Sequence, residues 1–219
     1  MIITRREFCG GSAALIVAVG LQMPAGIERA FAQTVAAAEL MVPGPLGEMA
    51  LGPANAPVTV IEYASMTCSH CASFAINTLP KFKTDYIDTG KVRYILREFP
   101  LDPLAAAGFM LARCAANGDA NKYFAMVDTL FHQQGTWVVQ KPLPPLLAIG
   151  KQAGLNEKAV EDCLANQTMV EGIEAVRKRG VEKLGVSSTP TFFVNGQKAP
   201  GALSYDELVR LVTPYLKAG

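Results

Sequence analysis

The sequence predicts an α/β fold with a helical lobe inserted into it, and three observations carry that expectation. Two short, β-branched apolar runs, Val58–Ala64 and residues 92–99, flank a stretch with helical periodicity. Roughly eighty residues of mostly helical pattern then follow, over 104–184. Strand character returns at Thr191–Val194. Strand, helix and strand in that order call for parallel pairing through a crossover. Helices lying between two sheet segments fit an insertion, the competing arrangement being a separate all-helical domain that covers no site.

Taken in order, the chain opens on an export signal over residues 1–32. Arg5 and Arg6 precede a modestly apolar stretch, and Ala30-Phe31-Ala32 offers a small-x-small cleavage site before Gln33. The apolar stretch is short for a bilayer span, with an amphipathic tail or a retained anchor as the alternatives. Thr4-Arg5-Arg6-Glu7-Phe8 is similar to a twin-arginine signal, although Cys9 stands where leucine is usual. Cleavage places the mature protein in the periplasm and leaves four cysteines, Cys68, Cys71, Cys114 and Cys163. An even count in an oxidising compartment permits two disulfides.

The full chain has 219 residues, half of them hydrophobic, and a net charge of +1, which excludes general disorder. Losing Arg5, Arg6 and Arg29 against Glu7 and Glu28 balances the two signs. No basic block interleaved with aromatics is present, so nucleic acid is excluded as a partner.

Residues 33–57, with four prolines and several glycines, read as an extended lead-in too short for a domain. The apolar run at Val58–Ala64 suits a strand buried on both faces. From Cys71, Phe74, Leu79 and Phe82 recur at helical intervals as far as Asp88-Thr89-Gly90, with Pro80 expected to kink the helix. A second strand ends at Pro100. Helices are expected over residues 105–116, 123–131, 146–153 and 157–179. Asn195-Gly196 signals a hairpin that returns through residues 197–200. Ser204 with Glu207 forms a capping box for the last helix.

Cys68-Ser69-His70-Cys71 carries the chemistry. Two cysteines at this spacing close a disulfide within one turn, and the helix N-terminus favours a thiolate at the first. Cys68 is therefore the expected attacking sulfur, Cys71 the resolving one, and His70, if cationic, a further support for the thiolate. A zinc site needs more ligands than Cys114, Cys163, His70 and His132 offer without a second close pair. Sulfur alone does the redox work, with no cofactor and no metal. A structural bridge is the remaining alternative for Cys68 and Cys71.

Glu62 interrupts the strand that leads to the cysteines. Buried near Cys71 it would exchange protons with that thiol, whereas at a strand end it would simply be solvated. Thr189-Pro190 precedes the late strand; a cis bond there would bring free backbone groups to a substrate peptide, and a trans bond would merely start the strand. Cys114 and Cys163 are expected to form a non-catalytic disulfide within the lobe, with buried free thiols as the alternative. His132 is expected to serve packing or the surface.

With these motifs assembled, the stretch from about Ala56 to Lys217 resembles the DsbA-type thiol-disulfide oxidoreductases of the thioredoxin superfamily. The resemblance implies a thioredoxin-like domain over 58–103 and 185–219 with a helical insertion over 104–184. It further implies a cis Thr189-Pro190 bond opposite Cys68, a buried acid at Glu62, and an enzyme that donates the Cys68-Cys71 disulfide to reduced or unfolded exported proteins. A quinone-linked inner-membrane protein is the implied redox partner. Ser69 stands where the oxidase of the family has proline, and threonine before the cis proline also occurs in isomerases and reductases. An isomerase or reductase kept reduced by a membrane donor is therefore the alternative, and a polypeptide-binding chaperone module a more distant one. Dimeric isomerases carry an N-terminal dimerisation domain, for which 33–57 is too short, so a monomer is expected.

Overall fold

The computed structural model describes residues 37–216. The export signal, with Arg5, Arg6 and Cys9, lies outside those residues. The chain runs α1 (Ala37–Leu40), β1 (Met49–Leu51), β2 (Val58–Ala64), α2 (Ser69–Asn77), α3 (Leu79–Phe82), a π-helical turn (Lys83–Ile87) and β3 (Val92–Glu98). There follow α4 (Pro103–Ala116), α5 (Ala120–His132), α6 (Gln134–Trp137), α7 (Leu143–Gln152), α8 (Glu157–Leu164) and α9 (Gln167–Leu184). A hairpin of β4 (Thr191–Val194) and β5 (Gln197–Pro200) leads into α10 (Tyr205–Leu216). Among the described residues no helix is long and apolar enough to cross a membrane.

The strands form one mixed sheet in the order β1-β3-β2-β4-β5, with β2 and β3 parallel and every other pair antiparallel. This is the thioredoxin-like fold with an inserted block of helices. Because successive strand residues point to opposite faces, β2 sends Val58, Val60 and Ala64 into the core shared with α2 and the helical block, and Ile61 and Tyr63 into a smaller core behind the sheet. The same alternation puts Glu62 on the face that carries α2.

Pro80 acts as expected: the helix after Cys71 breaks at Thr78, whose amide still donates to the Phe74 carbonyl at 2.9 Å, and restarts as α3 with the proline in its first turn. Asn195 and Gly196 take positive φ values of 45° and 93°, as the hairpin requires. The Asn195 side chain also accepts from the Thr59 amide and donates to the Pro57 carbonyl, tying the hairpin to β2. Ser204 and Glu207 form the reciprocal capping box.

Two expectations need correction. The lead-in contains a strand: Met49–Leu51 pairs antiparallel with β3 and forms the sheet edge. The segment before it is held by two buried arginines. Arg113 donates to the carbonyls of Leu46 and Gly47, and Arg97 to the Glu48 carboxylate. The helix expected over 157–179 is two helices, because the Asn166 side chain accepts from the Met169 amide at 3.0 Å and starts α9 afresh. Helix α9 runs back to the sheet, where Val176 and Leu184 join Tyr63, Phe99 and Phe193.

Candidate active site

The approach to Cys68 is a short loop after β2, fixed by hydrogen bonds to two separate segments, Leu101-Asp102 and Gln134. Ser65 accepts from the Leu101 amide at 3.3 Å, and Thr67 donates to Asp102 at 2.6 Å. From the helical block, Gln134 Nε2 donates to the carbonyls of Met66 and Cys68 at 2.9 and 3.2 Å. Gly108 of α4 completes this packing, since a Cβ there would stand 3.0 Å from the Trp137 ring and 3.1 Å from Met66 Cβ. None of these contacts was legible in the sequence, because each joins residues far apart along the chain.

Cys68 is the N-cap of α2: its backbone is extended, and its carbonyl accepts the first helical bond from Ala72 at 3.1 Å. A sulfur thus stands where a capping oxygen usually does, facing the free amides of the first turn. Cys71 lies one turn deeper and is wholly buried, and both cysteines are free thiols. The Cys68 thiol reaches the Thr189 carbonyl at 3.4 Å. Thr189-Pro190 is cis, and the Pro190 carbonyl accepts from the Gly201 amide at 2.8 Å.

These contacts separate the two thiols electrostatically. Cys68 is lowered to about 5, first by the hydrogen bond from the Cys71 thiol, against the cost of partial burial. The Thr189 side chain and the backbone amides of Cys71 and His70 lower it further. A thiolate can only accept, so the carbonyl contact belongs to the thiol form and the Thr189 hydroxyl serves the ionised one. That hydroxyl is buried and, among the described residues, makes no hydrogen bond while Cys68 is a thiol, which leaves it free to donate once the sulfur ionises. Cys71 is pushed far up by burial, then by donating to Cys68 and by the charge of Glu62. The pair therefore holds one exposed-edge thiolate and one buried proton donor.

Glu62 is 3% exposed, and burial raises its carboxyl to about 8. The Tyr94 phenol donates to Glu62 Oε2 and pulls the carboxyl down, while the charge of Cys68 raises it. Tyr94 was not recognised from the sequence. Both strands were evident there, but the register that sets Val60 opposite Tyr94, and so Glu62 diagonal to it, was not.

The structure thus gathers Cys68, Cys71, Glu62, Thr189 and Pro190. The side chain of His70 is exposed, and its effect on Cys68 comes through the backbone amide. His132 lies away from the site, exposed, with Nδ1 3.0 Å from the Asp128 carbonyl oxygen. Cys114 and Cys163 are bridged, S–S 2.03 Å, joining α4 to α8 within the helical block.

A sheet of this order, with a Cys-x-x-Cys pair at the start of the helix after its central parallel strand and a cis proline against the first sulfur, defines a thiol-disulfide redox site of the thioredoxin class. A family profile described as "Thioredoxin" matches residues 46–213. The crystal structure of alpha-DsbA1 from Wolbachia pipientis superposes with a TM-score of 0.77 at 30% identity, covering 84% of this chain and 97% of that one. A Rickettsia bellii protein that carries the name protein-disulfide oxidoreductase is 34% identical over 150 residues, 68% of this chain. The match spans 57% of that relative's length. Disulfide bond formation protein D of Bacillus subtilis is 26% identical over 78% of each chain. The chain belongs to the DsbA-like oxidoreductases of the thioredoxin superfamily.

Proposed function

We propose that this protein is a periplasmic thiol oxidase that passes the Cys68-Cys71 disulfide to reduced exported proteins. The observation that carries the reading is the division of labour at the site, a Cys68 thiol lowered to about 5 beside a buried, protonated Cys71. Whatever stabilises the thiolate stabilises the reduced protein, which raises the reduction potential and makes the oxidised form a donor.

In the forward step a client thiolate attacks Cys68 Sγ. The client–Cys68 bond forms, the Cys68-Cys71 bond breaks, and Cys71 leaves with the electron pair. Glu62, protonated near neutrality, supplies the proton that Cys71 needs in its buried position. A second client thiolate then attacks the client sulfur and releases Cys68 as a stabilised anion. Thr189 and Pro190 line the approach to Cys68 and offer backbone groups to an extended client segment. Reoxidation by a quinone-linked inner-membrane protein runs the exchange in reverse: Cys68 attacks the partner disulfide, and Cys71, giving its proton to Glu62, closes the ring. Residues 1–32 act as the export signal and are removed. The mature chain works as a monomer, residues 58–103 and 185–219 supplying the redox domain and 104–184 the lobe beside it.

The test is mixed-disulfide trapping. The Cys71→Ser variant, incubated with an oxidised client, should accumulate an adduct through Cys68, and Cys68→Ser should give none. An adduct mapped to Cys114 or Cys163 would reject the assignment.

A further inference from the structure

We propose that Tyr94 is the positioning residue of the buried acid, its phenol holding one oxygen of Glu62 so that the carboxyl takes and returns the proton of Cys71. The inference rests on the reading of Glu62 given above and adds to it a residue that no sequence motif marks.

The geometry is that of a clamp. Tyr94 is 1% exposed on β3, on the same sheet face as Glu62 and diagonal to it across the parallel ladder. Its hydroxyl donates to Glu62 Oε2, and its ring packs against Phe124 of α5 at a centroid distance of 5.7 Å. The phenol is therefore held between sheet and helical block. With Oε2 engaged, Oε1 is left to exchange a proton.

The titratable groups around Glu62 are few. Cys68 and Cys71 face it from the start of α2, and Tyr94 from β3. Tyr123 of α5 stands behind Tyr94, donating to Glu98, which also pairs with Arg113. From β4 the residue opposite Glu62 is Phe192, which carries no charge. Burial drives the carboxyl up, and the Tyr94 bond is the contact that brings it back towards neutrality. A neutral donor does this without placing a fixed cation beside the Cys71 proton.

The exchange balances. During reoxidation Cys68 is tied up in a mixed disulfide and its charge is gone, so Glu62 ionises more readily. The carboxylate takes the proton of Cys71, and the Cys71 sulfur attacks Cys68 Sγ. The Cys68-Cys71 bond forms, the bond to the outer sulfur breaks, and the leaving thiolate takes the electron pair. Client oxidation returns the proton from Glu62 to Cys71.

The experiment mixes the reduced protein, with Cys114-Cys163 intact, with excess dithionitrobenzoate. Cys68 captures one thionitrobenzoate, and the slower release of the second, independent of reagent concentration, reports attack by Cys71. In the wild type this rate should rise with pH through the ionisation of Glu62. In Tyr94→Phe the inflection should move up by about one pH unit, with the rate at pH 7 about tenfold lower. Glu62→Gln should abolish the inflection, and adding Tyr94→Phe to it should cause no further slowing.

A wild-type profile retained by Glu62→Gln would overturn the role of Glu62 and the proposal with it. An inflection lost in Glu62→Gln but unmoved in Tyr94→Phe would overturn the assignment of Tyr94 alone. Should Tyr94→Phe fail to fold, 3-fluorotyrosine placed at position 94, equal in shape and a stronger donor, should move the inflection down. An unmoved inflection there also overturns the proposal.

Discussion

At the scale of single residues, Cys68 and Cys71 begin as the same thiol and end far apart because one caps a helix and the other lies beneath it. The Cys68 thiolate should titrate near 5, read from its absorbance at 240 nm and absent in Cys68→Ser. Thr189→Val removes a donor to that thiolate and should raise the midpoint by about one pH unit. A midpoint unchanged by the valine would assign the stabilisation to the helix amides and Cys71 alone. Stability should follow pH with a definite sign. Cys68 has its folded pKa depressed below the unfolded value of about 8.5, so its contribution is present above that value and is lost as pH falls through about 5. Glu62, raised to about 8, acts the opposite way, its contribution fading as pH climbs from its ordinary range through about 8. The oxidised protein has no Cys68 ionisation. Denaturant unfolding should therefore show the reduced form gaining on the oxidised form between about pH 5 and pH 8.5, the span separating the folded and unfolded values of the thiol.

At the scale of elements, the strands and turns carried strong local signals, and what they lacked was long-range. The strand at Val58–Ala64, the Pro80 break, the Asn195-Gly196 hairpin and the Ser204 capping box each depend on residues within a few positions of one another. The strand at Met49–Leu51 was hidden because three residues give too little alternation to see, and its anchors, Arg113 and Arg97, arrive from α4 and β3. Glu62 and Thr189-Pro190 were legible as candidates, whereas Tyr94 and Gln134 depended on register and packing. Asn166 was a readable cap that the apolar pattern on either side of it obscured. Asn166→Ala should cost about 1 kcal/mol in denaturant unfolding. Arg113→Leu should cost more, about 3 kcal/mol or above, since it strands the buried Glu98 carboxylate and frees the 46–47 backbone. Equal losses in the two variants would show that the Arg113 pair contributes little beyond an ordinary cap.

At the scale of the whole molecule, the two cysteine pairs serve different ends. The Cys114-Cys163 bridge closes a loop of 49 residues between two helices of the inserted block. Restricting the unfolded chain to that loop is worth about 4 kcal/mol by loop-closure entropy. Replacing both cysteines with serine should lower stability by up to about that amount, while the Cys68 titration should stay near 5, because the groups that lower it lie at the start of α2 and at Thr189. The reading of the molecule as an oxidase finally rests on the reduced form being the stabilised one. Equilibration of the Cys68-Cys71 pair against glutathione, with thiol trapping to read the reduced fraction, measures that directly. A reduction potential near the −120 mV or so of a strong oxidant is expected, and a value near about −270 mV, that of a reductase, would contradict it.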